Sequence, residues 1–366
     1  MQIKTRPLIL SLIVILGLTV SAFLLTSYFR YTSPGAVINY IKGHSKDVAI
    51  ACFDPGDPQK GYFQNAEEAY PLAGVYKLLL LSAYADEAAA GRLDPQETLP
   101  VSDLEKYYLP GTDGGAHPEF LKALGADRTQ LTLDEVVDGM TAYGSNAATD
   151  YLASRLENVD FTALYKRLGV KQANQPGSFL GLYLFIKNHE TGVYAEEDLT
   201  AEEQRAEQNR LAGLFVNDAD WRQAEIAFIS KPTNVASLTV QVEVINAFGM
   251  RASAQDMAQI LMAGYGYNDA LPAAAQNLLR KHLEWPARLH PENTKPFKTL
   301  ASASGAWPSV LTSAWYAQSL KAGPRVLVVL YRNLPDDFWN TWITTFSHQE
   351  LETQVLLNAD CSLFAR

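Results

Sequence analysis

Residues 48–77 read VAIACFDPGDPQKGYFQNAEEAYPLAGVYK. Val48 to Phe53 is a short apolar run suited to a buried strand, the turn signal Asp54-Pro55-Gly56-Asp57-Pro58 follows it, and Gly61 to Gln64 reads as the next strand. Beyond Pro71, Val75 to Ala90 is rich in Leu and Ala and predicts a buried helix. Working outward, Thr132 with Glu135 forms a capping-box pattern before Val136, Val137 and Met140, and Asn146 precedes a helical pattern over Ala147 to Leu156. Thr200 with Glu203 opens the charged stretch Glu196 to Arg210, read as a solvated helix face, and Ser253 caps a helix from Ala254 to Ala263. Near the C-terminus the pattern turns to strands at Val310 to Leu320 and Val326 to Tyr331. A last helix follows from Asp336, with Trp339, Trp342, Phe346, Leu351, Val355 and Leu356 on its apolar face. Strands at both ends and helices between them predict an α+β fold in which the two chain ends share one antiparallel sheet.

The composition agrees with a globular protein. The chain has 366 residues, 48% hydrophobic and 19% charged, enough for two domains or one large domain with insertions. Its 30 Lys+Arg against 40 Asp+Glu give a formal charge of −10, and no basic block is interleaved with aromatics, so no nucleic-acid partner is expected. Two cysteines exclude a disulfide-dense scaffold and a cysteine-based zinc site, and the six histidines lack ligand spacing, so no metal and no cofactor is expected. In an exported chain Cys52 and Cys361 could pair; two buried free thiols are the other reading. From Pro7 to Phe29 the chain runs 23 residues without a charge. That predicts a membrane anchor within residues 1–30, with Lys4 and Arg6 keeping the N-terminus cytoplasmic and the main domain extracytoplasmic. A cleaved signal peptide ending near Val20-Ser21-Ala22 is the rival. Residues 31–45 read as a tether.

The stretch ending Glu67-Glu68-Ala69-Tyr70-Pro71-Leu72-Ala73-Gly74-Val75-Tyr76-Lys77 resembles the start of the penicillin-recognising serine hydrolases, the class A β-lactamase and D,D-peptidase superfamily. That family carries Ser-x-x-Lys here, with the serine as nucleophile at a helix start and the lysine one turn later assisting proton transfer. Lys77 matches, but Gly74 stands at the nucleophile position. Met140 to Thr149 resembles the second motif, Ser-Asp-Asn: Asn146 matches, Ser145 takes the middle position, and Gly144 replaces the serine. Ser302-Ala303-Ser304-Gly305-Ala306-Trp307-Pro308-Ser309-Val310-Leu311-Thr312 resembles the surroundings of the third motif, Lys-Thr-Gly, with Gly305 kept and Ala303 at the lysine position. Lys298-Thr299-Leu300 imitates that motif five residues early and without its glycine. The deacylating pattern Glu-x-x-Leu-Asn is missing between Leu168 and Asn246.

The resemblance implies a three-layer α/β/α sandwich with an antiparallel sheet plus an all-helical subdomain. Residues 46–77 and 246–366 would form the sheet part, and 78–245 the helical part with an insertion near 172–234. It also implies a cleft in which Lys77, Ser145 and Asn146 are catalytic remnants, while Gly74, Tyr143, Ser304, Gly305, Ala306 and Trp307 bind a ligand through backbone and polar groups. A glycine offers no atom to attack a carbonyl, and deleting a comparable nucleophile costs about 10⁶ in rate. The expected function is therefore a catalytically inactive binding or scaffolding module of the cell envelope, with a peptidoglycan-like peptide or an envelope protein as partner. The alternative is a serine hydrolase that works through a displaced nucleophile, Ser145 or Ser304. Each residue also has a purely structural reading: Lys77 as a buried amine bonded to Asn146, Asn146 as a helix cap, Trp307 as core.

Overall fold

The computed structural model describes residues 31–191 and 199–365. The apolar segment Pro7–Phe29 lies outside the described residues, and among the described residues no helix is long and apolar enough to cross a membrane.

Nine strands are described: β1 (Val48–Asp54), β2 (Asp57–Gln64), β3 (Tyr70–Pro71), β4 (Thr98–Pro100), β5 (Gln130–Thr132), β6 (Arg251–Ala252), β7 (Phe297–Trp307), β8 (Val310–Ser319) and β9 (Pro324–Tyr331). Five of them form one antiparallel sheet in the order β2-β1-β9-β8-β7. The two ends of the chain meet at the β1–β9 pair, where Ile50 lies opposite Val329. Because side chains alternate along a strand, β1 feeds two cores. Ala49, Ala51 and Phe53 point to the inner one, shared with the helical part, while Val48, Ile50 and Cys52 point to an outer one. Burial on both faces explains why β1 and β9 read as continuous apolar runs instead of alternating ones.

The outer layer corrects two readings. Residues 31–45, expected as a tether, contain the helix Pro34–Gly43, whose Ser33 hydroxyl accepts from the Ala36 N–H and which buries Val37, Tyr40 and Ile41. Those three lie at helical spacing, a signal hidden between the glycine and proline residues that suggested a linker. The expected single last helix is two, Asp336–Thr345 and Ser347–Asn358, broken at Phe346, which takes φ 55° in the left-handed region. Cys52 and Cys361 form a disulfide that ties β1 to the last turn of the chain.

Three sequence-predicted helix caps are kept. Thr132–Glu135 and Thr200–Glu203 both form reciprocal capping boxes, and Ser253 does the same with Asp256. The charged stretch belongs to the helix Ala201–Asn217, which with Ala219–Ile229 closes a small third core of Leu180, Leu184, Leu211, Phe215 and Trp221.

Candidate active site

The first motif sits where the chain leaves β3. A 3-10 turn, Ala73–Tyr76, leads into the buried helix Lys77–Ala89. Ala73 is held at φ 42°, a conformation costly for a residue with a Cβ. Gly74 packs directly on β7: a Cβ added there would lie 2.6 Å from the Ser304 carbonyl oxygen and 2.8 Å from Gly305 Cα. From the other side, a Cβ on Gly305 would lie 2.0 Å from the Gly74 nitrogen. Backbone touches backbone where the resemblance places a nucleophile and an oxyanion. A side chain at either glycine would require the turn or the strand to shift.

The second motif follows a π-helical turn, Gly139–Tyr143, that ends at Gly144 with φ 83°. A left-handed residue at this point favours glycine. Ser145, not Asn146, caps the helix Asn146–Arg155: its hydroxyl accepts from the Ala148 N–H and lies 2.9 Å from His117 Nδ1. Ser145 is 0% exposed, with its hydroxyl engaged by the Ala148 N–H and His117. Asn146 donates to the Thr112 carbonyl, 3.1 Å away. Lys77 donates to the Gly144 carbonyl at 2.6 Å, not to Asn146, and its Nζ stands 5.7 Å from the centroid of the Phe179 ring.

Burial pushes the Lys77 ammonium down to about 8, against the opposing pull of Asp113 and Asp150. Desolvation disfavours the charged form more than two carboxylates without a direct ion pair restore it. Asp150 is itself buried and pushed up to about 7, although it accepts from the Phe179 and Leu180 N–H groups at 2.8 and 2.7 Å. Burial also pushes His117 down to about 4, so the ring beside Ser145 is neutral at ordinary pH.

On β7 the third motif is spread over two faces. Ser304 and Ala306 are exposed and Ala303 is half-buried, opposite Ala314. Trp307 is buried: its indole N–H donates to the Gln241 carbonyl at 3.0 Å and its ring lies 4.5 Å from Tyr183. It pins β7 to the helix Leu238–Phe248 and does not line the cleft. Lys298 and Thr299 stand near the opposite end of the strand.

What remains of the cleft is a cavity of about 210 Å³ lined by Gly74, Lys77, Tyr143, Gly144, Ala303 and Ser304 among the expected residues. The sequence reading missed most of its apolar wall, Leu78, Leu81, Met140 and Leu283, and the half-buried Trp285, whose N–H donates to the Ser302 carbonyl at 2.9 Å. The one available signal is the stretch Leu283-Glu284-Trp285-Pro286 upstream of the third motif. Asp150, Asp113 and His117 had no signal in spacing. Among the described residues, no group of three or more His, Cys, Asp or Glu side chains is placed to hold a metal ion.

Residues 36–220, half of the chain, match the profile of the beta-lactamase enzyme family. A β-lactamase from Sphaerobacter thermophilus DSM 20745 superimposes with a TM-score of 0.54 at 15% identity, over 89% of this chain and 98% of the other. One from Chitinophaga pinensis DSM 2588 gives 0.53 at 15%, over 87% and 97%. A mutant of PBP-A, solved as an acyl-enzyme complex with penicillin G, gives 0.50 at 13%, over 88% and 95%. At these identities the superpositions speak to the fold. No curated protein matches the chain in sequence.

Proposed function

The chain belongs to the beta-lactamase enzyme family, within the penicillin-recognising serine hydrolases, and from that premise we propose that it is a catalytically silent member acting as a scaffolding module of the cell envelope. The observation that carries this reading is the contact of Gly74 with Ser304 and Gly305. Acyl transfer needs an attacking atom and room for the tetrahedral adduct beside it. Here the attacking atom is missing at position 74 and the main chain of Ser304 and Gly305 packs against that position, so Lys77 has no hydroxyl there to deprotonate.

A protein partner fits better than a small ligand. The residual cavity of about 210 Å³ is below the roughly 300–1,000 Å³ of ordinary ligand sites. Outside it, Val235 and Leu238 are exposed where the insertion meets the helix Leu238–Phe248, the helix that Trp307 fastens to β7. The apolar segment Pro7–Phe29 would hold such a module at the membrane, with residues 31–366 extracytoplasmic.

The test is incubation with a fluorescent penicillin, read by intact mass, on the wild-type chain and on Gly74→Ser. No adduct is expected on either, since a Cβ at 74 would lie 2.6 Å from the Ser304 carbonyl oxygen and push the residue out of place. A stoichiometric adduct on the wild type would overturn the assignment. The scaffolding half is tested by a photo-crosslinker at Val235 in cells. It should capture an envelope protein, and crosslinks to cell-wall peptide alone would replace the protein partner by the peptide.

A further inference from the structure

A second groove lies outside the cleft, between the helix Asn146–Arg155 and the insertion helix Ala201–Asn217. Its volume is about 530 Å³, within the roughly 300–1,000 Å³ of small-ligand sites. Three ionisable side chains line it, Arg205, Glu157 and the buried Asp150, whose carboxylate already accepts from the Phe179 and Leu180 N–H groups; the first two are open to a ligand. Among the described residues, neither has an opposite charge within ion-pair distance. Arg205 is half-buried and donates at 2.8 Å to the Gln175 carbonyl. A guanidinium has five donors in a planar fork, so most of this one's capacity is unspent, and burial makes its charge harder to hold.

The third lining residue of interest is Gly213, inside the 17-residue helix. Glycine is the poorest helix former after proline, and a Cβ added here would meet nothing within 4 Å. No neighbour in the fold requires the missing side chain. A backbone passing close to the helix would require it. Arg205 and Gly213 are eight residues apart along the helix, about 12 Å, the span of roughly three to four extended residues.

We propose that this groove binds a short extended peptide with free ends, its carboxylate held by Arg205, its ammonium by Glu157, and its backbone crossing Gly213. Arginine suits a carboxylate because the two can pair through parallel hydrogen bonds. Glu157, exposed at the rim and without an ion-pair partner among the described residues, favours a zwitterion over a simple anion.

Calorimetric titration of the full chain with trialanine tests the proposal. Saturable one-to-one binding is expected, weakened about tenfold by Arg205→Gln, the scale of a lost charge-assisted pair. Trialanine amide should bind the wild type as weakly as trialanine binds that variant, with no further loss when the two changes are combined. N-acetyl-trialanine and Glu157→Gln should behave as the matching pair at the other end. Gly213→Ala should raise the melting temperature yet weaken the peptide, and Gly213→Leu should abolish binding in a chain that still melts cooperatively. No saturation at millimolar trialanine, equal affinity of wild type and Arg205→Gln, or undiminished binding by Gly213→Leu would each overturn it.

Discussion

The two faces of the central sheet are built on opposite terms. On the outer face, Val48, Ile50 and Cys52 pack with Leu327, Val329 and Tyr331 beneath three helices, and a disulfide joins the first strand to the end of the chain. On the inner face at the cleft, two glycines meet main chain to main chain, and Gly74 and Gly144 stand at the motif positions that carry serine in the family resemblance. Packing is shared among many apolar side chains, so the fold tolerates the loss of any one chemical group. Acyl transfer depends on a few atoms in one gap, so under the proposed function the same loss is complete. Scaffold and chemistry are separable within one sheet.

That contrast can be broken in several ways. The largest effect is expected from Cys52→Ala with Cys361→Ala. The crosslink spans 309 residues of sequence, and its removal should cost about 4–5 kcal/mol in denaturant unfolding. A loss below about 1 kcal/mol would mean that the outer face does not depend on its covalent tie.

Next comes Gly305→Ala at the cleft, expected to cost about 3 kcal/mol, the upper range for overpacking. Its Cβ would lie 2.0 Å from the Gly74 nitrogen, and main chain yields less readily than a flexible side chain. Unchanged stability would show that the turn and the strand can part enough to admit a side chain.

The third test returns to the outer face. Glu352 is fully buried; its carboxylate accepts from the Trp315 N–H at 2.8 Å, and burial pushes it up to about 8. A raised carboxyl favours the folded state while protonated. Its contribution is full below the unfolded value near 4.5 and is lost as the pH climbs through the folded value near 8. Glu352→Gln should flatten this part of the stability profile between those limits, as followed by urea unfolding at stepped pH. A parallel profile would remove Glu352 as its source.

The smallest effect is expected at Lys77→Met. One hydrogen bond to Gly144 is lost and a buried charge disappears, so the net change should stay within about 1 kcal/mol at neutral pH. The sign reverses relative to Glu352. A lysine pushed down to about 8 favours the folded state once neutral, so the wild type should gain on the variant as the pH rises from 8 towards the unfolded value of 10.5. A large loss at neutral pH would make Lys77 a structural keystone of the cleft.

Much of the fold was legible because its signals are local. Capping boxes at Thr132 and Thr200 operate within one helical turn, and the strand runs at 48–53 and 326–331 follow from burial on both faces. The helix at 34–43 was hidden because its buried triad of Val37, Tyr40 and Ile41 is short and bounded by turn formers. In the site, Lys77, Gly144, Ala303 and Ser304 were found from motif order. Trp307 and Ser145 were misplaced, since a strand residue's face and a serine's burial are set by what packs against them.

The sequence by itself determined the family resemblance, the α+β order of elements and the loss of the hydroxyl at position 74. These depend on residue identity and short-range spacing, which the chain carries in one dimension. Only the tertiary structure decided that Cys52 and Cys361 pair, that Lys77 donates to the Gly144 carbonyl, and that Gly74 and Gly305 close on each other. These contacts join residues 67 to 309 positions apart. Their geometry depends on how helices and sheet seat against one another, and no local pattern encodes that seating.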